Sequence, residues 1–165
     1  MKRILVVEDS QLVTKIVRHV VKLDQGLEAV YASSFAEAKD QLKHFDGQLF
    51  AALADLNLPD APDGEVVDLM LAEGIPTIVL TGSYDEERRE KILAKGIVDY
   101  VVKEGRYSYE YAIGVVHRLA LVTRCAIYNH LLLASSAMPR RLHEEPRHWH
   151  RLRLRSWRVH ALDPL

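Results

Sequence analysis

Cysteine is almost absent from this chain: Cys125 stands alone among 165 residues. No disulfide can form within the molecule, so a reducing, intracellular compartment is expected. Tryptophan is equally scarce, and both copies, Trp149 and Trp157, fall near the end of the chain. No apolar run approaches the roughly 20 residues needed to cross a bilayer. The most apolar stretch, from Cys125 to Met138, is interrupted by Asn129 and His130. The opening MKRILVVEDS reaches Glu8 and Asp9 after too few apolar residues for a signal-peptide core. A cytoplasmic protein with no membrane segment is therefore expected. No internal repeat is visible, and the length suits one full-sized core with an appendage better than two ordinary domains.

The net charge of −1 conceals an uneven distribution. Residues 1 to 103 carry 12 Lys or Arg against 18 Asp or Glu, a net −6, whereas residues 104 to 165 carry 10 against 5, a net +5. All eight lysines lie in the first part and ten of the fourteen arginines in the second. Composition thus changes beyond Lys103.

Before that change, short apolar runs alternate with helical patterns. Ile4 to Val7 reads as a strand covered on both faces, and Leu12, Ile16, Val17, Val20 and Val21 recur at helical spacing up to a stop at Gly26. Leu27 to Ala32 is a second strand, and Ser34 with Glu37 forms a capping box for a helix to about His44. Leu49 to Ala54 is a third strand. A loop rich in Pro, Asp and Gly, a helix near Glu65 to Glu73 and a fourth strand, Thr77 to Leu80, follow it. Ser83 and Glu86 predict another capping box, for a helix ending at Gly96. Val98 to Val102 is the fifth strand. The fifth helix is expected over about Tyr107 to Val122, with Tyr111, Val115, Leu119 and Val122 near one face. Five such units predict an α/β flavodoxin-like fold, with a doubly wound parallel sheet of order 2-1-3-4-5.

In such sheets ligands gather at the carboxyl ends of the strands. Strand one runs into Glu8 and Asp9, strand three into Asp55, strand four into Thr81 and strand five into Lys103. Any one of them alone reads as a cap or a solvated loop residue. Their convergence on one crevice is far harder to obtain by accident. Three carboxylates this close repel one another and call for a cation, and their oxygen ligands suit Mg2+, with Mn2+ as the variant, better than zinc. Phosphoryl transfer is then the natural chemistry: Asp55 attacks, Asp9 and Glu8 serve the metal, and Lys103 and Thr81 steady the carboxylate or phosphoryl oxygens.

These motifs resemble the receiver domain of two-component response regulators, the CheY-like family. VVEDS resembles its acidic pair, ADLNLPD its phosphoacceptor loop, LTGS its switch-threonine segment, and VDYVVK the segment carrying the switch aromatic Tyr100 and the lysine Lys103. The resemblance covers residues 1 to 122 and implies a phosphorylation-controlled switch rather than a turnover enzyme. It implies a sensor histidine kinase or histidine phosphotransfer protein as donor, and a backbone carbonyl of Asn57 among the metal ligands. It further implies that phosphorylation draws Thr81 and Tyr100 inward, changing a surface of helix four, strand five and helix five that serves a homodimer or a downstream effector. Two features depart from the family pattern. Glu104 replaces the usual proline after Lys103, which predicts a trans bond and a second carboxylate near the lysine. DAPDG looks one residue longer than the usual loop. An aspartate-nucleophile phosphatase is the competing enzyme class, but Asn57 stands where such enzymes place a second aspartate. A pseudo-receiver that binds partners unphosphorylated fits poorly with the complete set of site residues.

Residues 123 to 165 match no output domain. Between Met138 and His160 lie seven arginines, four histidines and both tryptophans. Three readings stand: a basic arm for nucleic acid, a docking or dimerisation segment extended by Leu131, Leu132 and Leu133, or a stretch read out of frame or truncated. The third is preferred, because the preceding phrases resemble the N-terminal unit of larger proteins with further receiver and diguanylate cyclase modules.

Overall fold

Alternation along each strand divides the apolar side chains between the two faces of the sheet. The strands of the computed structural model are β1 (Lys2–Val7), β2 (Leu27–Ala32), β3 (Leu49–Asp55), β4 (Thr77–Thr81) and β5 (Asp99–Val102). They pair in parallel in the order β2-β1-β3-β4-β5, the predicted flavodoxin-like arrangement. Residues 1–136 are described in backbone and residues 1–126 in side chain.

Ile4 and Val6 of β1, Ala51 and Leu53 of β3, and Ile78 and Leu80 of β4 face one core. Helices α1 (Gln11–Lys22) and α5 (Arg106–Ser136) close it with Val17, Val20, Ala112, Ile113 and Val116. Leu5, Val7, Ala52, Ala54 and Val79 face the other core, covered by α2 (Phe35–His44), α3 (Glu65–Ala72) and α4 (Glu86–Leu93). Both faces are buried, which explains why β1, β3 and β4 read as continuous apolar runs.

Several local expectations shift. The first helix ends at Lys22 with Leu23 as its cap, and Gly26 sits in the following turn, where its amide donates to Asp24 Oδ1 at 2.8 Å. Leu12 is exposed. Ser34 caps α2 by accepting from the Glu37 amide at 3.1 Å, but the Glu37 carboxylate turns to Ser33 rather than completing the box. Asp85, not Ser83, caps α4, accepting from the Arg88 amide at 2.9 Å. Asp is as good a cap as Ser, and this start places Glu86 and Glu87 in the first turn, where the helix dipole favours them. The buried face of α5 is Tyr109, Ala112, Ile113 and Val116, with Val115 beside it, whereas Tyr111 and Val122 are exposed. The helix runs to Ser136, beyond the expected end at Val122.

Met1–Arg124 form one compact unit, with the division falling before Cys125. The side chains of Leu131 to Leu133 and the whole Arg- and Trp-rich stretch from Met138 lie outside the described residues.

Leu53, 1% exposed at the centre of β3, is a sensitive reporter of the first core. Leu53→Ala should cost about 2–5 kcal/mol through lost contacts and a residual cavity. Urea unfolding followed by circular dichroism measures this, and a loss below about 1 kcal/mol would show that the core there collapses freely.

Candidate functional site

The register of the sheet fixes the site. Val7 pairs with Ala54, so the next residues, Glu8 and Asp55, emerge side by side from β1 and β3. Thr81 pairs with Val102, so Lys103 follows one step beyond the end of β4. Lys103 Nζ donates to Glu8 Oε2 at 2.6 Å and to Asp55 Oδ2 at 2.7 Å. Glu8 is 4% exposed and Asp55 5%, so this triad is nearly withdrawn from water.

The other oxygens are held by the backbone. The Ser10 amide donates to Glu8 Oε1 at 3.2 Å, and the Asn57 amide to Asp55 Oδ1 at 3.2 Å. Asp9 is exposed, and among the described residues its carboxylate takes part in no hydrogen bond or ion pair. One carboxylate oxygen each from Glu8, Asp9 and Asp55 lie within 4.8 Å of one another. Three carboxylates thus face one ammonium, with no sulfur or imidazole donor in the group. This donor set fits a hard divalent cation such as Mg2+.

Burial pushes the Glu8 carboxyl above its ordinary range, and the hydrogen bond and charge of Lys103 only partly offset that. Burial likewise opposes the charge of Lys103, but the hydrogen bonds from its ammonium to Asp55 and Glu8 outweigh it and raise its pKa. Lys103 therefore stays protonated at neutral pH, and the stability it contributes is lost only as pH rises through that raised value.

Thr81 is buried, and its hydroxyl donates to the Ser83 carbonyl at 3.2 Å while the Ser83 amide approaches the same oxygen at 3.4 Å. Tyr100 is buried, and among the described residues its hydroxyl has no hydrogen-bond partner. The ring belongs to the second core. After Lys103 the bond to Glu104 is trans, as expected. The Glu104 side chain, however, is exposed, and the two carboxylates at the lysine are Glu8 and Asp55. Left-handed Gly105, with φ of 82°, turns the chain into α5, and the Glu104 amide is taken by Val102 and Ser108.

Two participants carried no sequence signal. Asp60, in the DAPDG loop, accepts from the Phe35 and Ala36 amides at 2.9 and 3.0 Å, tying this loop to the start of α2. These amides hold its carboxyl below the usual range. Arg88 reaches from α4 to the same loop, donating to Asn57 Oδ1 at 2.8 Å and to the Pro62 carbonyl at 2.8 Å.

A parallel five-stranded sheet with an acidic crevice at its strand ends, closed by a lysine, defines a CheY-like α/β module. The chain matches the response regulator receiver domain family over residues 4–108 and belongs to it. It is therefore a receiver domain of two-component signalling. The structure of a putative two-component system response regulator/GGDEF domain protein is 38% identical, with a TM-score of 0.64 over 73% of this chain and 48% of that one. The present chain thus spans about half the length of that protein. A receiver domain protein from Clostridium thermocellum, 17% identical, matches with a TM-score of 0.64 over 76% of this chain and 99% of its own. The chemotaxis response regulator CheY4 of Vibrio cholerae, 23% identical, matches at 0.60 over 70% and 98%. These two share the fold. No curated protein matches the chain. No helix among the described residues is long and apolar enough to cross a membrane.

Because its pKa is raised on folding, Glu8 favours the folded state most at low pH and loses that contribution as pH rises through the raised value. In Mg2+-free buffer at pH 7, Glu8→Gln should therefore resist urea better than the wild type. The gap should close as pH falls toward the ordinary value of 4.5. A variant weaker than wild type across that range would mean that the ionic bond to Lys103 outweighs burial.

Proposed function

We propose that Asp55 accepts a phosphoryl group from a histidine kinase or histidine phosphotransfer protein in a Mg2+-dependent reaction. The observation that carries this reading is the Lys103 ammonium bridging Asp55 and Glu8 while the adjacent Asp9 carboxylate stands unengaged. In the transfer, a carboxylate oxygen of Asp55 forms an O–P bond as the P–N bond to the donor histidine breaks, and the departing imidazole takes up a proton. Asp9, Asp55 and the Asn57 carbonyl would hold the metal, with Glu8 supporting them. When bound, Mg2+ neutralises charge on the phosphoryl oxygens.

Lys103 is placed to exchange a carboxylate for a phosphoryl oxygen without leaving the site. The Thr81 hydroxyl must give up the Ser83 carbonyl before it can donate to a phosphoryl oxygen, which couples the chemistry to the segment leading into α4. That helix buries only Ile92 fully, so apolar packing holds it lightly. On this reading α4, β5 and α5 form the responsive surface, a switch between two populations rather than a turnover site. We assign residues 1–122 to this module and residues 123–165 to an appendage. The 38% identity to a protein whose name includes a GGDEF domain supports a receiver of the kind joined to such outputs.

Incubation of the full chain with acetyl phosphate and Mg2+ should give a single phosphoryl adduct by intact-mass measurement. Asp55→Asn should abolish it, and chelation of Mg2+ should prevent it. An adduct of equal yield in Asp55→Asn would sink the assignment.

A further inference from the structure

Helix α4 sends one side chain across to the loop that follows Asp55. Arg88 lies in its first turn, and its own amide is held by the capping Asp85 carboxylate at 2.9 Å. From that fixed base the guanidinium spreads over three acceptors: Asn57 Oδ1 at 2.8 Å, the Pro62 carbonyl at 2.8 Å and the Leu56 carbonyl at 3.4 Å. A planar fork with five donors can serve such a divergent set, whereas a lysine ammonium gathers its three donors on a single nitrogen. The neighbouring Arg89 makes no side-chain hydrogen bond or ion pair among the described residues.

The Leu56 carbonyl and the Asn57 amide belong to one planar trans peptide, so they point in opposite directions. Arg88 takes the carbonyl end, and the amide end donates to Asp55 Oδ1 at 3.2 Å. Holding one end therefore aims the other. The contact to the Asn57 side chain fixes the same residue from a second direction, and the contact to Pro62 closes the loop behind it.

We propose that Arg88 is a positioning residue that sets the divalent-cation affinity of the site, by orienting the Asp55 carboxylate and the backbone of Asn57. This rests on the reading of Glu8, Asp9 and Asp55 as the Mg2+ site. Because Arg88 belongs to α4, the same contacts join the cation site to the helix of the responsive surface. Cation occupancy and the position of α4 are then linked through one side chain, and the linkage acts in both directions.

Calorimetric titration of the full chain with Mg2+, well below each variant's Tm, tests this. Arg88→Ala should weaken Mg2+ binding by about tenfold, the usual scale for losing a group that orients metal ligands. Arg88→Lys should recover only part of the loss, and Arg89→Ala should bind as the wild type does. The double variant Asn57→Ala with Arg88→Ala should be little weaker than Arg88→Ala alone, because the Asn57 side-chain contact is already lost in Arg88→Ala. Equal affinity in Arg88→Ala and wild type overturns the role of Arg88 and leaves the site standing. Equal weakening in Arg89→Ala also overturns it, by reducing the effect to net charge. Absence of Mg2+ binding by the wild type overturns the site, and this role with it.

Discussion

The buried ammonium of Lys103, shared between Glu8 and Asp55, is the constraint around which the molecule is arranged. Each carboxylate emerges from an interior strand into surroundings that would expel a lone charge. One lysine from the end of β5 meets both. The arrangement makes three non-adjacent segments of sequence interdependent. It also leaves the group with more negative than positive charge, a deficit that a divalent cation can fill.

Such a cluster is costly to maintain, and the surrounding backbone offsets part of the cost. The Ser10 and Asn57 amides each donate to one carboxylate of the triad. Their loops are pinned elsewhere, by the start of α1 on one side and by Asp60 and Arg88 on the other. The site is thus held by its second layer as much as by the residues that meet at its centre. The DAPDG loop is part of this layering: its Asp60 satisfies amides at the start of α2 that would otherwise depend on water.

How much of this could be seen in advance followed from the kind of physics involved. Glu8, Asp9, Asp55, Thr81 and Lys103 were legible because buried parallel strands advertise themselves as apolar runs, and the residue after each run must lie at the sheet's carboxyl edge. The strand order followed from the repeated crossovers. Asp60 and Arg88 were not legible, since their partners are backbone groups or an amide side chain 24 to 32 residues away. Nothing in residue type marks such contacts. The face of α5 was misjudged because Ala112, fully buried, weighs little in an apolar pattern, whereas the exposed Tyr111 weighs heavily. Instead the Tyr111 hydroxyl reaches the Asp99 carboxylate at 2.8 Å, a use for an aromatic that periodicity cannot distinguish from packing.

The Tyr100 hydroxyl, buried and without a hydrogen-bond partner among the described residues, bears on the proposed switch. A buried O–H without an acceptor costs about 1–3 kcal/mol relative to one that water can reach. The inward ring thus carries a standing penalty that its apolar contacts must cover. A residue that packed perfectly here would lock the surface in one state, and one that packed badly would never enter. On the proposed reading, a ring held inward by apolar contacts alone is one whose position a phosphoryl group can bias.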